Sequence, residues 1–207
     1  MTLFCLLWMP LFYFFRVSLD PKKSAASGGV WALLLGSVAA VMQFFLGDLV
    51  HSGGFGLSRW VSALVDIIAL PVLLPFAVCA LLSFFKVLSG SPDLTNFALL
   101  WLIPGGMFRA VSWSAQHEPS LLVLSPLLWT ALAVGLPLFI TIILDGGHPL
   151  VGVPAALGAL ALLLAATSAS WAFFSQRALL AFALCAVAMI PACVSIGMDL
   201  QRAGRFR

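Results

Sequence analysis

Two charged side chains lie inside apolar runs that are long enough to cross a membrane. Asp66 falls in the run from about 60 to 85, and Arg109 falls in the run from about 97 to 114. Counted along a helix, they lie roughly 9 Å and 8 Å from the ends of their runs that share one side of the membrane. Consecutive helices joined by a short loop are usually neighbours, so we expect Asp66 and Arg109 to form an ion pair.

This pair has two interpretations that the sequence leaves open. Charges within a membrane are candidates for function by default, so the pair could bind a substrate or an ion. It could also be structural, because Asp66 is near a helix N-terminus and Arg109 is near a helix C-terminus, where the helix dipole favours each charge. An arginine at that depth can also extend its charged end to the membrane surface. The structural interpretation is the simpler one.

Helix-breaking residues lie close to the two charges in the sequence. Pro71 and Pro75 lie in the run that contains Asp66, and Pro104, Gly105 and Gly106 precede Arg109. Proline removes a backbone donor and glycine loosens the helix, so we expect bent or interrupted helices here. Transporters use interrupted helices to expose backbone groups to a substrate, although prolines also produce plain kinks in membrane helices.

The composition excludes a water-soluble protein. Of the 207 residues, 63% are hydrophobic and 8% are charged, with a mean hydropathy of +1.15, whereas soluble domains are roughly 25% charged. The alternating pattern of a membrane β-barrel is absent. The sequence therefore predicts an all-α integral membrane protein, a bundle of six to seven transmembrane helices, several of them kinked by proline, with no soluble domain.

We expect a single membrane domain over residues 1–207. Its predicted spans are about 1–19, 27–47, 60–85, 97–114, 121–144, 150–174 and 178–198. The apolar part of the first is short for a hydrocarbon core of about 30 Å, so the count is six or seven. Asp93 precedes the fourth span and is expected to cap its helix.

The basic residues predict the orientation, because short loops rich in Lys and Arg stay in the cytoplasm. With seven spans, one side of the membrane holds Arg16, Lys22, Lys23, Lys86, Arg202, Arg205 and Arg207, and the other side holds Arg59, Arg109 and Arg177. We therefore expect a plasma (inner) membrane protein with its N-terminus outside and its C-terminus in the cytoplasm.

Small residues predict where helices approach each other closely. Ala32, Gly36 and Ala40 recur at intervals of four in the second span, so they share one helical face. The sixth span carries a similar alanine pattern at 161, 165 and 169. Such faces pack against another helix, within the chain or on a partner, and packing within the chain is the simpler choice.

No motif indicates an enzyme. We find no HExxH, no GxSxG and no glycine-rich phosphate loop. Four cysteines lie in apolar runs and the histidines lie in predicted loops, so we expect neither a metal nor another cofactor. The small net charge of +3, mostly beside spans, predicts no nucleic-acid partner.

The leading functional hypothesis is a small permease or the membrane subunit of a transport complex. It depends on Asp66, Arg109 and the interrupted helices. The alternative is a scaffold or assembly factor without catalytic activity, which would bind a partner through the small-residue faces. The expected surroundings are the lipid bilayer and other membrane subunits, and the sequence specifies no substrate.

Overall fold

The computed structural model describes residues 2–19, 28–51, 64–88, 93–115, 125–145, 149–175 and 177–205. The regular structure in these segments is entirely helical. In chain order the helices are α1 (Thr2–Leu19), α2 (Gly29–His51), a π-helix (Leu64–Leu73) that continues into α3 (Leu74–Phe84), α4 (Leu94–Ala115), α5 (Ser125–Asp145), α6 (Pro149–Phe174) and α7 (Ala178–Arg205).

Three helices of the described segments are long and apolar enough to cross a membrane. They cover Ser125–Leu144, Val151–Phe173 and Ala178–Gln201. Four shorter apolar helices cover Leu7–Leu19, Gly29–Met42, Ile68–Phe84 and Leu94–Phe108. The fold is therefore all-helical in the described segments, with three long and four shorter apolar helices.

Helices α4 and α5 form the centre of the bundle. Every residue from Thr95 to Leu102 of α4 is buried, and most of α5 from Ser125 to Pro137 is buried as well. These stretches are nearly apolar on all sides, as a helix surrounded by others must be. Helices α1 and α2 pack on α4, while α6 and α7 pack on α5 and on each other.

The predicted small-residue face of α2 lies against α4. Ala32 and Gly36 are fully buried there, and Ala40 is nearly so. A Cβ added to Gly36 would lie 2.4 Å from the carbonyl oxygen of Trp101, a contact with backbone that cannot turn aside. This face is therefore occupied within the chain itself.

Helix α4 continues through Pro104, Gly105 and Gly106, and the expected bend at these residues stays a prediction. The two glycines lie where neighbouring helices approach α4. A Cβ on Gly106 would lie 3.1 Å from the sulfur of Met9 in α1, and one on Gly105 would lie 3.8 Å from Cβ of Ala40 in α2. Neighbouring helices that pack this tightly allow a proline inside a helix.

The departure from α-helical geometry occurs earlier in the chain. Pro71 lies inside the π-helix, and the α-helical pattern resumes at Leu74 with Pro75 in the first turn of α3. Proline is tolerated in a first turn because the N–H that it lacks would have no partner there. Both prolines are buried. The π-helical segment thus contains Pro71, whereas Pro104 lies within a continuous α-helix.

Two helices extend further than their hydropathy predicts. Helix α2 continues to His51, so that residues 48–51, expected in a loop, are helical. Helix α7 continues to Arg205, seven residues beyond the predicted end of the last span. Hydropathy marks only the apolar part of a helix, whereas the helix itself can continue into polar residues. The extension brings Asp199 into α7.

Candidate functional site

A buried arginine joins three helices at one end of the bundle. Arg16 lies in the last turn of α1, and its residue is only 8% exposed. Its Nη2 atom is 3.6 Å from Oδ2 of Asp93, at the start of α4, and 3.6 Å from Oδ2 of Asp199 in α7. The side chains of Asp93 and Asp199 are 17% and 10% exposed. We call these three residues the Arg16 cluster.

The contacts in the Arg16 cluster are incomplete. Hydrogen bonds between a guanidinium and a carboxylate are typically about 2.7–2.9 Å long, so 3.6 Å is an ion pair without a hydrogen bond. The Nε and Nη1 atoms of Arg16 are also buried, and neither has a hydrogen-bond partner in the described segments. A buried polar group without a partner is unfavourable. The cluster thus holds one cation between two anions without satisfying the donors of the cation.

Asp93 also accepts backbone hydrogen bonds at the start of α4, and these fix its position. Its Oδ1 atom accepts hydrogen bonds from the backbone N–H groups of Thr95, at 2.9 Å, and Asn96, at 3.1 Å. It is therefore the N-cap of α4, as predicted. Because Oδ1 serves the cap, Oδ2 is left to face Arg16. A carboxylate is favourable at a helix N-terminus, and a guanidinium is favourable at the C-terminal turn of α1.

Asp199 lies in a less favourable electrostatic position than Asp93. It lies in the last two turns of α7, where the helix dipole disfavours a carboxylate. Arg16 offsets that effect from α1. The printed ion pairs thus place one guanidinium between two carboxylates, and Arg16 stabilises both of them at this junction.

A second polar contact holds α1 to the centre of the bundle. The indole Nε1 of Trp8 donates a hydrogen bond of 3.1 Å to the hydroxyl of Thr130 in α5. That hydroxyl donates in turn to the carbonyl of Pro126, at 2.8 Å. Thr130 is fully buried. Helix α1 is therefore fixed at two levels, by Trp8 and by Arg16.

The predicted pair of Asp66 and Arg109 stays a prediction. The two residues lie in the π-helix and in α4, which are in contact, but their side chains are outside the described part of the structure. The structure thus agrees with neighbouring helices and does not test the ion pair. His117 and His148 also lie outside the described residues.

A cavity of about 220 Å³ lies between α2 and the helical segment formed by the π-helix and α3. Trp101 of α4 forms part of its wall, and the remaining lining residues are Leu35, Val38, Ala39, Met42, Leu70, Leu74 and Val78. These side chains are all apolar, so the cavity offers no group that would orient a polar substrate. Among the described residues, no three metal-ligating side chains come together.

No family model, no curated protein and no solved structure matches the chain.

From the sequence, Arg16 is only a charge beside the first predicted span, and no pattern singles out Asp199. One signal was available. Asp199 is the only acidic residue after Asp145, and it directly follows a long apolar run. An isolated carboxylate of that kind predicts a basic partner, but the spacing does not show which one.

Proposed function

We propose that this chain is an integral membrane protein with seven crossing helical segments, and that it works as a small permease or as the membrane subunit of a transport complex. The membrane part is supported by the outer surface of the bundle. Large apolar side chains are exposed along the middle of the long helices, among them Leu157, Leu160 and Leu164 of α6 and Val187 and Ile190 of α7. Water disfavours such a surface, and hydrocarbon does not.

The observation that carries the transport part is the Arg16 cluster. Charges are rare inside membrane proteins, and each one that occurs is by default a candidate for a substrate or ion pathway. A cluster with a purely structural role would gain from completing its hydrogen bonds. Arg16 instead leaves two donors unsatisfied at a point where three helices meet.

The cluster also fits the proposed orientation. Arg16 and Lys86 are on the side predicted to be cytoplasmic by the positive-inside rule. The ion pairs bring the C-terminal end of α1, the N-terminal end of α4 and the C-terminal part of α7 to one end of the bundle. Helices that alternate in direction across a bilayer produce this arrangement.

The alternative is a scaffold that binds a partner protein. The face of Gly36 is covered by α4, and Ala169 on the alanine face of α6 is fully buried, so only the part of that face around Ala161 is left for this role. Ala161 is exposed there, next to the exposed Leu157 and Leu164. A scaffold therefore predicts that Ala161→Leu separates the protein from its partner without changing the fold.

Purification in mild detergent followed by reconstitution distinguishes the two. Liposomes that contain the purified protein, with any stoichiometric partner, are incubated with an isotope-labelled extract of small metabolites, and their contents are measured by mass spectrometry. A permease enriches at least one compound above protein-free liposomes. Arg16→Gln should abolish that enrichment, while Lys86→Gln, an exposed charge at the same end, should preserve it. Absence of any enriched compound, with a partner lost on Ala161→Leu, would favour the scaffold.

A further inference from the structure

The Arg16 cluster joins three helices that are distant in the sequence, and it does so by long contacts. Both ion pairs measure 3.6 Å, and Nε and Nη1 of Arg16 have no hydrogen-bond partner in the described segments. Water could satisfy these donors and solvate the carboxylates if the helix ends separated. Opening of the cluster would therefore lose the two ion pairs, and hydration of the charged groups would offset part of that loss.

Each of the three helices has a proline between the cluster and the far end of the bundle. Pro10 in α1, Pro104 in α4 and Pro191 in α7 lie six, eleven and eight residues from the charged residue of the same helix, or about 9, 17 and 12 Å along the axis. A proline removes one backbone hydrogen bond and so lowers the resistance of a helix to bending. Helices α5 and α6 also contain prolines, so this feature is not confined to the three helices of the cluster.

Asp93 is arranged so that it can release Arg16 without loss of α4. Its cap uses Oδ1 and its ion pair uses Oδ2. The cap therefore persists when the ion pair is broken, and the first turn of α4 stays helical. The ion pair can therefore open and close without loss of the helix cap.

We propose that the Arg16 cluster is an ionic latch, which closes the end of the bundle where α1, α4 and α7 meet and which opens to admit water to the first turns of α4. The role of this latch as one gate of a transport path rests on the proposed function. The latch itself is a property of the helix junction, and it can be measured without a substrate.

The measurement is the reactivity of a buried cysteine just inside the latch. All native cysteines are replaced by serine, and a single cysteine is placed at Thr95, which is 4% exposed, or at Ala181, which is fully buried in the first turn of α7. Ala181 lies about 27 Å along α7 from Asp199, at the opposite end. Both proteins are treated with N-ethylmaleimide in detergent at low temperature, so that the reagent reaches both ends.

The latch predicts that Thr95→Cys reacts faster than Ala181→Cys, although both positions are buried. Asp199→Asn removes one ion pair and leaves a neutral Arg16–Asp93 pair, so it should raise the Thr95→Cys rate on the order of tenfold and leave the Ala181→Cys rate unchanged. Lys86→Gln, the matched control, should change neither rate. Asp93→Asn keeps the cap acceptor and should act like Asp199→Asn.

Two results would overturn the latch. An unchanged Thr95→Cys rate in both aspartate variants would show that the cluster does not control access to the core. An equal rise at Thr95→Cys and Ala181→Cys would show that the cluster only holds the whole fold together. If the liposomes enrich no compound but the Thr95→Cys rate rises in the aspartate variants, transport is rejected and the latch is kept. If the liposomes enrich a compound but the Thr95→Cys rate does not change, the latch is rejected and transport is kept.

Discussion

Replacement of Arg16 by Gln should destabilise the protein more than the loss of either carboxylate. Two attractions at 3.6 Å disappear, each about 4–5 kcal/mol at an effective dielectric constant near 20 and before the cost of desolvation. Asp93 and Asp199 are then left without this cation at a mostly buried junction. Removal of one partner from such a group costs about 3–5 kcal/mol, which for a chain of this size lowers the melting temperature by roughly 6–20 °C.

The companion variants separate charge from shape. Asp199→Asn leaves one cation and one anion, so its effect should be less than half that of Arg16→Gln. The variant with Arg16→Gln, Asp93→Asn and Asp199→Asn has no charge in the cluster, and it should recover most of the lost stability, because uncharged groups at a buried junction need no counter-ion. Lys86→Gln serves as the matched control and should have the melting temperature of the parent protein.

The native cysteines provide the assay. Cys79 and Cys185 are buried, whereas Cys193 is exposed. In a parent with Cys5→Ser and Cys193→Ser, a maleimide that fluoresces on reaction with a thiol reports unfolding in detergent as the temperature rises. The reasoning is refuted if Arg16→Gln melts within about 2 °C of the parent, or if the charge-free variant is no more stable than Arg16→Gln alone.

Three further predictions use the same melting assay. Gly36→Ala should lower the melting temperature by several degrees, because the new Cβ would clash with the carbonyl oxygen of Trp101. Gly204→Ala is the control, since a Cβ there would have nothing within 4 Å, and it should leave the melting temperature unchanged. Equal melting temperatures of the two variants would contradict the close approach of α2 to α4. Trp8→Phe loses the hydrogen bond to Thr130 and should cost about 0.6–1.7 kcal/mol; no loss would show that this contact contributes nothing. Lys86→Gly should stabilise the protein by about 1 kcal/mol, because Lys86 has a φ of +56°, which glycine adopts without strain; a lower melting temperature would refute this.

The local signals of this sequence predicted local structure well. Long apolar runs placed the helical segments, and an aspartate before an apolar run predicted the cap that Asp93 forms. The interval of four that groups Ala32, Gly36 and Ala40 is likewise a property of one helix. Each of these predictions needs only neighbouring residues, so the sequence contains the necessary information.

The Arg16 cluster required information of another kind. Its members lie in α1, at the start of α4 and in α7, which are far apart in the sequence. No periodicity in the sequence shows that these helices meet. The positive-inside rule also gave Arg16 an ordinary role beside a span, which hid its burial. The continuity of α4 through Pro104 likewise depends on the helices packed around it, which the local sequence does not show.

The side of the membrane on which each terminus lies tests the account most directly. Single cysteines at Thr2 and at Gly204, in a chain without other cysteines, are labelled with a membrane-impermeant maleimide in intact cells and again after permeabilisation. Seven crossing segments predict that the cysteine at Thr2 is labelled in intact cells, and that the cysteine at Gly204 is labelled only after permeabilisation. Labelling of both from the same side, or release of the protein from membranes by alkaline carbonate, would contradict the proposed bundle.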